Sequence, residues 1–187
     1  QASAAIAKPM NDPLPRSAGN VVLRRLAPAD LRAFQAYRQD GELGRYQGWV
    51  PTPDADALEF LGHMNRAELL LPGVWCQIGI ADSRTLDLIG DIGLILATDS
   101  SQAEIGFTLR RQSHGIGLAT AAVKEAIALV FERTSAKAVI GITDERNTPS
   151  VRLLERVGMR KVETRDTTFR GEPCTELVYA VQKHHDG

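Results

Sequence analysis

Glu104-Ile105-Gly106-Phe107-Thr108-Leu109-Arg110-Arg111-Gln112-Ser113-His114-Gly115-Ile116-Gly117-Leu118-Ala119-Thr120 is the stretch on which the fold turns. Residues 103–109 form a short run rich in apolar and β-branched side chains, a strand pattern. From 115 to 133 the period changes. Leu118, Ala119, Ala122, Val123, Ile127, Val130 and Phe131 recur at three- and four-residue spacing, which predicts the longest helix of the chain, one facing the core. Residues 138–142 read as a short buried strand, so strand, helix and strand call for a parallel crossover. Gly115 and Gly117 stand where the first helical N–H groups have no intrahelical acceptor, and without Cβ atoms they let a ligand approach the backbone. An anion, above all a pyrophosphate, would be bound there by those N–H groups and the positive helix end. Two glycines at a helix entry are more often only a tight turn. The Walker lysine and the third glycine of a dinucleotide fingerprint are both missing.

Working outward, residues 21–26 read as a strand, and Pro28 suits the first turn of a helix through Leu31, Phe34 and Tyr37. A loop with Arg45, Tyr46, Gly48 and Trp49 leads to Pro51-Thr52-Pro53-Asp54, the start of a second helix carrying Leu58, Phe60, Leu61 and Met64. Residues 74–81, 88–97 and 103–109 are three successive strands with short links, an antiparallel meander. Beyond 142, residues 149–157 form a helix that Gly158 ends, and 159–162 and 175–181 are closing strands. The chain is therefore expected to be an α/β protein with a mixed, largely antiparallel α+β sheet, one parallel splayed pair and about four flanking helices. Residues 1–20, without apolar periodicity, read as a disordered tail, 21–183 as a single domain and 184–187 as a second tail.

Composition excludes whole classes of function. The 187 residues carry 22 basic and 23 acidic side chains, net charge −1, so there is no bulk positive field for non-specific nucleic-acid binding. With 43% hydrophobic residues, the chain can build one core, but its apolar runs are far too short for a transmembrane span. Cys76 and Cys174 form neither a disulfide framework nor a zinc spacing and read as free thiols. His63, His114, His184 and His185 are scattered, which disfavours a metal centre and a nucleophile triad. With no secretory signal at its start, the protein is expected in the cytoplasm.

Gln112-x-x-Gly115-x-Gly117 resembles the acetyl-CoA pyrophosphate loop of the GNAT N-acetyltransferase superfamily. Residues 103–109 look like that family's strand that splays from its neighbour to receive pantetheine. Asn147-Thr148-Pro149-Ser150, continued by Leu153-Leu154-Glu155-Arg156-Val157-Gly158-Met159, is similar to a block of the branch that acetylates ribosomal-protein N-termini. Arg45-Tyr46 and Trp49-Val50-Pro51 look like that branch's first inter-helix loop. Two positions depart from its pattern: His114 stands where Trp is frequent, and Met159 where Phe is commoner.

The resemblance implies the GNAT fold and an enzyme that moves an acetyl group from acetyl-CoA to a primary amine without metal, by direct transfer in a ternary complex. It implies a cofactor site made of Phe107, Thr108, Leu109, Gln112, His114, Gly115, Ile116, Gly117, Leu118, Ala119, Thr120, Asn147 and Ser150, with Arg110 and Arg111 as candidates for the outer phosphates. Glu104, on the same strand face as Gly106, would be the general base, against the alternative of an exposed carboxylate or ion-pair partner. Ser150 would protonate the leaving thiolate, against ordinary helix capping, for which Asn147 is better placed. Tyr46 and Trp49 would line the acceptor pocket. The acceptor expected from the branch is a protein or peptide N-terminus. A small-molecule amine such as a polyamine or aminoglycoside, and a non-catalytic acyl-CoA-binding module, are the alternatives. A homodimer is common in the branch.

Overall fold

The computed structural model describes residues 11–184, which form an α/β domain with one eight-stranded sheet. The strands are β1 (Arg16–Ala18), β2 (Val21–Arg25), β3 (Cys76–Asp82), β4 (Leu88–Leu96), β5 (Gln102–Leu109), β6 (Ala138–Asp144), β7 (Arg160–Phe169) and β8 (Glu172–Gln182). The helices are α1 (Leu31–Arg38), α2 (Asp54–Arg66), α3 (Leu118–Arg133) and α4 (Thr148–Arg156). The sheet order is β1-β2-β3-β4-β5-β6-β8-β7, and every neighbouring pair is antiparallel except β5 and β6. That parallel pair is joined by the α3 crossover. It is short. Only Gln102↔Ala138, Ala103↔Val139 and Glu104↔Ile140 are in register, after which the two strands part.

Two cores sit on opposite faces. Ala122, Val123, Ala126, Leu129 and Val130 of α3 pack with Ile78, Ile92, Ile105 and Val139 of the sheet. Leu154 of α4 closes on Gly141 of β6, where a Cβ would lie 2.7 Å from the Leu154 side chain, so a larger residue there would have to push that side chain aside. On the other face Phe34 and Tyr37 of α1 and Ala57, Leu61 and Met64 of α2 cover Leu26 and Leu88. Neither α1 nor α2 extends over β6, β7 and β8, and that part of the face stays open.

Three expectations are corrected. The tail expected over 1–20 does not hold for 11–20. Leu14 is 4% exposed in the main core, β1 pairs with β2, and Arg16 binds Glu125 and Glu132 of α3. A three-residue edge strand between prolines and Gly19 is too short to show alternation. Residues 1–10 and 185–187, where the rest of the two tails was expected, lie outside the described residues. The long helix starts at Leu118 instead of 115, because Gly115 and Gly117 have φ of +83° and +80°. The closing strands are longer than expected, ten and eleven residues, and form a hairpin whose two-residue turn is Arg170-Gly171, φ +51° and +80°. From Lys161 to Thr168, β7 is exposed on both faces and so lacks the alternation that reveals a half-buried strand.

Candidate active site

The parting of β5 from β6 leaves two clefts that open onto each other. One, of ≈ 710 Å³, lies on the open sheet face; the other, of ≈ 820 Å³, lies between the end of β5, the start of α3 and α4. Tyr46, Gln47, Phe107, Thr108, Asn147 and Ser150 line both.

In the helix-end cleft the ladder of α3 begins with Ala121 N–H on the Gly117 carbonyl, so the N–H groups of Leu118, Ala119 and Thr120 precede it. Gly117 is in the left-handed region and makes no side-chain cap. A Cβ at Gly115 or Gly117 would meet nothing within 4 Å, which leaves their backbone open to the cleft. Leu109, His114, Leu118, Ala119 and Thr120 also line it. His114, in the position where Trp is frequent, donates from Nε2 to the Leu109 carbonyl at 2.6 Å and ties the loop to the end of β5. Gln112 and Ile116 do not line this cleft. A short 3-10 turn at Arg111–Ser113 directs Ser113 inward and leaves Gln112 exposed, and Ile116 is 71% exposed.

The arginines fall differently from the expectation. Arg110 turns into its own loop and donates to Ser113 Oγ at 2.9 Å, while Arg111 is held by Asp40 and Glu42. Sequence reasoning missed Arg45, Arg146, Arg152 and Arg156, which line this cleft together with Arg111. Arg152 and Arg156 lie one turn apart on α4, a spacing that was legible. A near-neutral chain thus concentrates cations around the open N–H groups. Asn147 is the N-cap residue of α4 without a side-chain cap bond, so its amide is not used by the helix.

The open-face cleft is built by register. Thr108 of β5 pairs with Asp91 of β4, Glu104 with Ile140 of β6, Asp144 with Glu176 of β8, and Glu176 with Arg165 of β7. With period-two alternation these residues share one face. Glu104 is half-buried, and burial is the main cause that raises its carboxyl above the usual range. Glu176 raises it further and Arg165 opposes. Asp144 is held low by Arg146, 2.7 Å away. Cys76 is buried in the core, while Cys174 lines this cleft; desolvation, with Asp144 and Glu176 nearby, raises its thiol and keeps it protonated.

The cleft floor is a buried network that sequence reasoning also missed. Asp91, 1% exposed, accepts from Arg38 Nη2 at 2.8 Å, Gln77 Nε2 at 2.8 Å and the Tyr37 hydroxyl. Burial, then Asp91, pushes the Tyr37 hydroxyl well above its ordinary range. The Arg38 guanidinium lies 4.8 Å from the Phe34 ring centroid and 4.4 Å from that of Trp49. Trp49 Nε1 donates to Thr108 Oγ1 at 3.1 Å, and Gln47 Nε2 to the Phe107 carbonyl at 3.2 Å, so the α1–α2 loop is fastened to β5. Tyr46, flanked by the guanidinia of Arg45 and Arg146, stands at the junction of the clefts.

Arg170, at the tip of the β7–β8 hairpin, donates from Nη2 to the carbonyls of Gly44, Gln47 and Trp49 at 3.2, 2.9 and 3.1 Å. One side chain thereby joins the two loops that border the cleft. Arg170→Ala is expected to speed amide hydrogen exchange at Gln47 and Trp49 about tenfold, with β3 and β4 unchanged. Unaltered exchange in that loop would show that its own contacts hold it.

Among the described residues no helix is long and apolar enough to cross a membrane, and no group of three or more His, Cys, Asp or Glu is placed to hold a metal ion. Residues 20–160 match the acetyltransferase (GNAT) domain family. The uncharacterized N-acetyltransferase p20 of Bacillus licheniformis is 27% identical over 143 residues, 75% of this chain and 79% of that protein. A GNAT-family acetyltransferase of Bacillus anthracis superposes with a TM-score of 0.80 at 20% identity, covering 90% of this chain and 98% of the other. Spermidine N-acetyltransferase of Vibrio cholerae, solved with CoA and spermine, gives 0.73 at 19% identity over 88% and 96%. A ribosomal L7/L12 α-N-protein acetyltransferase solved with coenzyme A gives 0.72 at 14% identity over 87% and 94%. The splayed β5–β6 pair, the open start of α3 and the match over residues 20–160 lead to one conclusion: the chain belongs to the GNAT acetyltransferase family.

Proposed function

We propose that this acetyltransferase transfers an acetyl group from acetyl-CoA directly to the α-amine of a peptide or protein N-terminus. The observation that carries the reading is the junction of the two clefts, one side offering N–H groups and arginines to phosphates, the other carboxylates to an ammonium. The donor set fits a coenzyme A thioester. Leu118, Ala119 and Thr120 N–H would hold the pyrophosphate, and the edge of β5 from Phe107 to Leu109, beyond its pairing with β6, and the Asn147 amide would receive the pantetheine arm. Bound acetyl-CoA supplies the acyl group as a thioester.

Glu104 takes a proton from the acceptor ammonium, directly or through water, and its raised affinity for protons makes it a better base than an ordinary carboxylate. The freed nitrogen forms the C–N bond as the C–S bond breaks and sheds its second proton to solvent, while Ser150, which lines both clefts, gives its hydroxyl proton to the sulfur and regains one from solvent. The protonated Cys174 is a poor nucleophile, which favours direct transfer over an acyl-cysteine route. An α-amine, with a pKa of about 7.7 to 8.0 against about 10.4 for lysine, costs roughly 3.5 kcal/mol less to deprotonate at neutral pH. One carboxylate suits the α-amine.

The test is acceptor-dependent thiol release from acetyl-CoA over N-terminal peptides, lysine-only peptides and simple amines, with peptides free at the α-amine turning over fastest. Tight coenzyme binding without acceptor-dependent thiol would replace the reading with a binding module. Ser150→Ala is expected to slow single-turnover transfer about a hundredfold. A rate equal to the parent's would assign the proton to water or to Tyr46.

A further inference from the structure

The floor of the open-face cleft holds a charged donor that the chemistry at Glu104 and Ser150 does not use. Arg38 is 6% exposed and lines the cleft, its guanidinium stacked on the rings of Phe34 and Trp49. Its Nη2 donates to Asp91 Oδ1 at 2.8 Å. Its Nε–H is sealed from solvent and has no acceptor. Nη1 also lacks a partner among the described residues, yet it is not one of the sealed atoms, so it reaches solvent, and the surface that Arg38 lines is the cleft. Buried donors are nearly always partnered, and a donor on a charged group makes the stronger bond. Charge decides what this one would bind. Asp91 already balances Arg38, and Asp56, Glu104, Asp144 and Glu176 line the same cleft, so an anionic group would be repelled. A neutral carbonyl oxygen suits a guanidinium whose charge is already matched.

The register of the sheet places this donor relative to the reacting nitrogen. Thr108 pairs with Asp91, the partner of Arg38, and stands four residues from Glu104 on the same face of β5. At about 3.3 Å per residue that is roughly 13 Å. Allowing about 3–6 Å for one or two hydrogen-bonded contacts at Glu104, roughly 7–10 Å separates the nitrogen from Arg38. In an extended peptide that distance falls at the carbonyls of the second and third residues. The cleft has room for such a chain, ≈ 710 Å³, and Val50 and Trp75, 62% and 48% exposed, add apolar surface to its lining on which peptide side chains can rest.

We propose that Arg38 is a peptide-backbone subsite: Nη1 donates to the carbonyl oxygen of the second or third residue of the acceptor peptide and holds that chain along β5 while its α-amine reacts at Glu104. This rests on the reading of the open-face cleft as the side that takes a peptide N-terminus. A simple amine has no such carbonyl, so Arg38 selects peptides by length and backbone, whatever their side chains.

The experiment measures steady-state kinetics with a six-residue peptide free at its α-amine, and with the same peptide in which the amide after residue two, three or four is replaced by a trans-alkene. The alkene keeps the extended shape and lacks the oxygen. Replacement after residue two or three is expected to raise KM about tenfold at similar kcat, and replacement after residue four to leave it unchanged. The same set is run in Arg38→Lys, which keeps a charge beside Asp91 and loses Nη1, and in Arg38→Met with Asp91→Leu, which removes both charges. Neither leaves a lone buried charge, so either one, once folded, decides the matter. In both, the alkene penalty is expected to vanish. A change in the cleft wall alone would raise KM for amide and alkene peptides equally and keep the penalty, and that result overturns the proposal. Equal KM across the set in the parent overturns it too, while efficient turnover of those peptides leaves the α-amine reading intact. Turnover of butylamine without turnover of any peptide removes both.

Discussion

Glu104→Gln is expected to lower single-turnover acetyl transfer at neutral pH by about 10²- to 10⁴-fold, the range for loss of a positioned general base. Gln keeps the shape and removes the proton acceptor, and the folding consequence is small, since Glu104 forms no ion pair among the described residues. The pH dependence carries the sign. Burial raises the carboxyl, so the parent loses rate as pH falls through that raised value and Glu104 becomes protonated. In Glu104→Gln that limb disappears, and the remaining acid limb belongs to the acceptor amine alone. Above an amine pKa of about 8 the nitrogen is already free, so the defect narrows as pH rises. A defect of constant size from below to above the amine's pKa would show that Glu104 shapes the cleft without moving a proton.

How much of this was legible depends on what each segment buries. Strands β3 and β4 are apolar runs buried on both faces, β5, β6 and helix α3 bury mainly one, and the change of period at Gly115 to Leu118 announces the crossover that makes β5 and β6 parallel. Glu104 was legible because it is a lone carboxylate in an apolar strand. Asp91 gives the same signal inside Leu88–Leu96 and was overlooked, since nothing local names its partners Tyr37, Arg38 and Gln77, far away in the chain. Arg170 and Glu176 sit in a hairpin whose outer strand is exposed on both sides, where polar residues are the rule and position alone confers a role. The arginines around the helix-end cleft come from three separate segments. Only the fold collects them.

Asp91→Ala is expected to destabilise the fold by about 3–5 kcal/mol, the cost of leaving one member of a buried ion pair behind. Against a typical total of about 5–15 kcal/mol, that is a large fraction. Arg38 would keep its charge between the Phe34 and Trp49 rings with no carboxylate to accept from Nη2, and Gln77 and Tyr37 would lose their acceptor as well. Tyr37→Phe removes only a neutral hydroxyl and is expected to cost about 1 kcal/mol. Replacing both charges, Asp91→Leu with Arg38→Met, is expected to recover most of the loss, because the pair's desolvation disappears together with its attraction. Urea midpoints for the four proteins check the order, and a loss below about 1 kcal/mol for Asp91→Ala would mean that water reaches Arg38. The effect does not stop at stability. Arg38 stacks on Trp49, and Trp49 is bonded to Thr108 on β5, so the charge at Asp91 sets the wall of the cleft in which Glu104 stands. The double variant should therefore fold yet bind the acceptor more weakly, with a higher KM. An unchanged KM in a folded double variant would show that Trp49 holds its place through Thr108 and Arg170 alone.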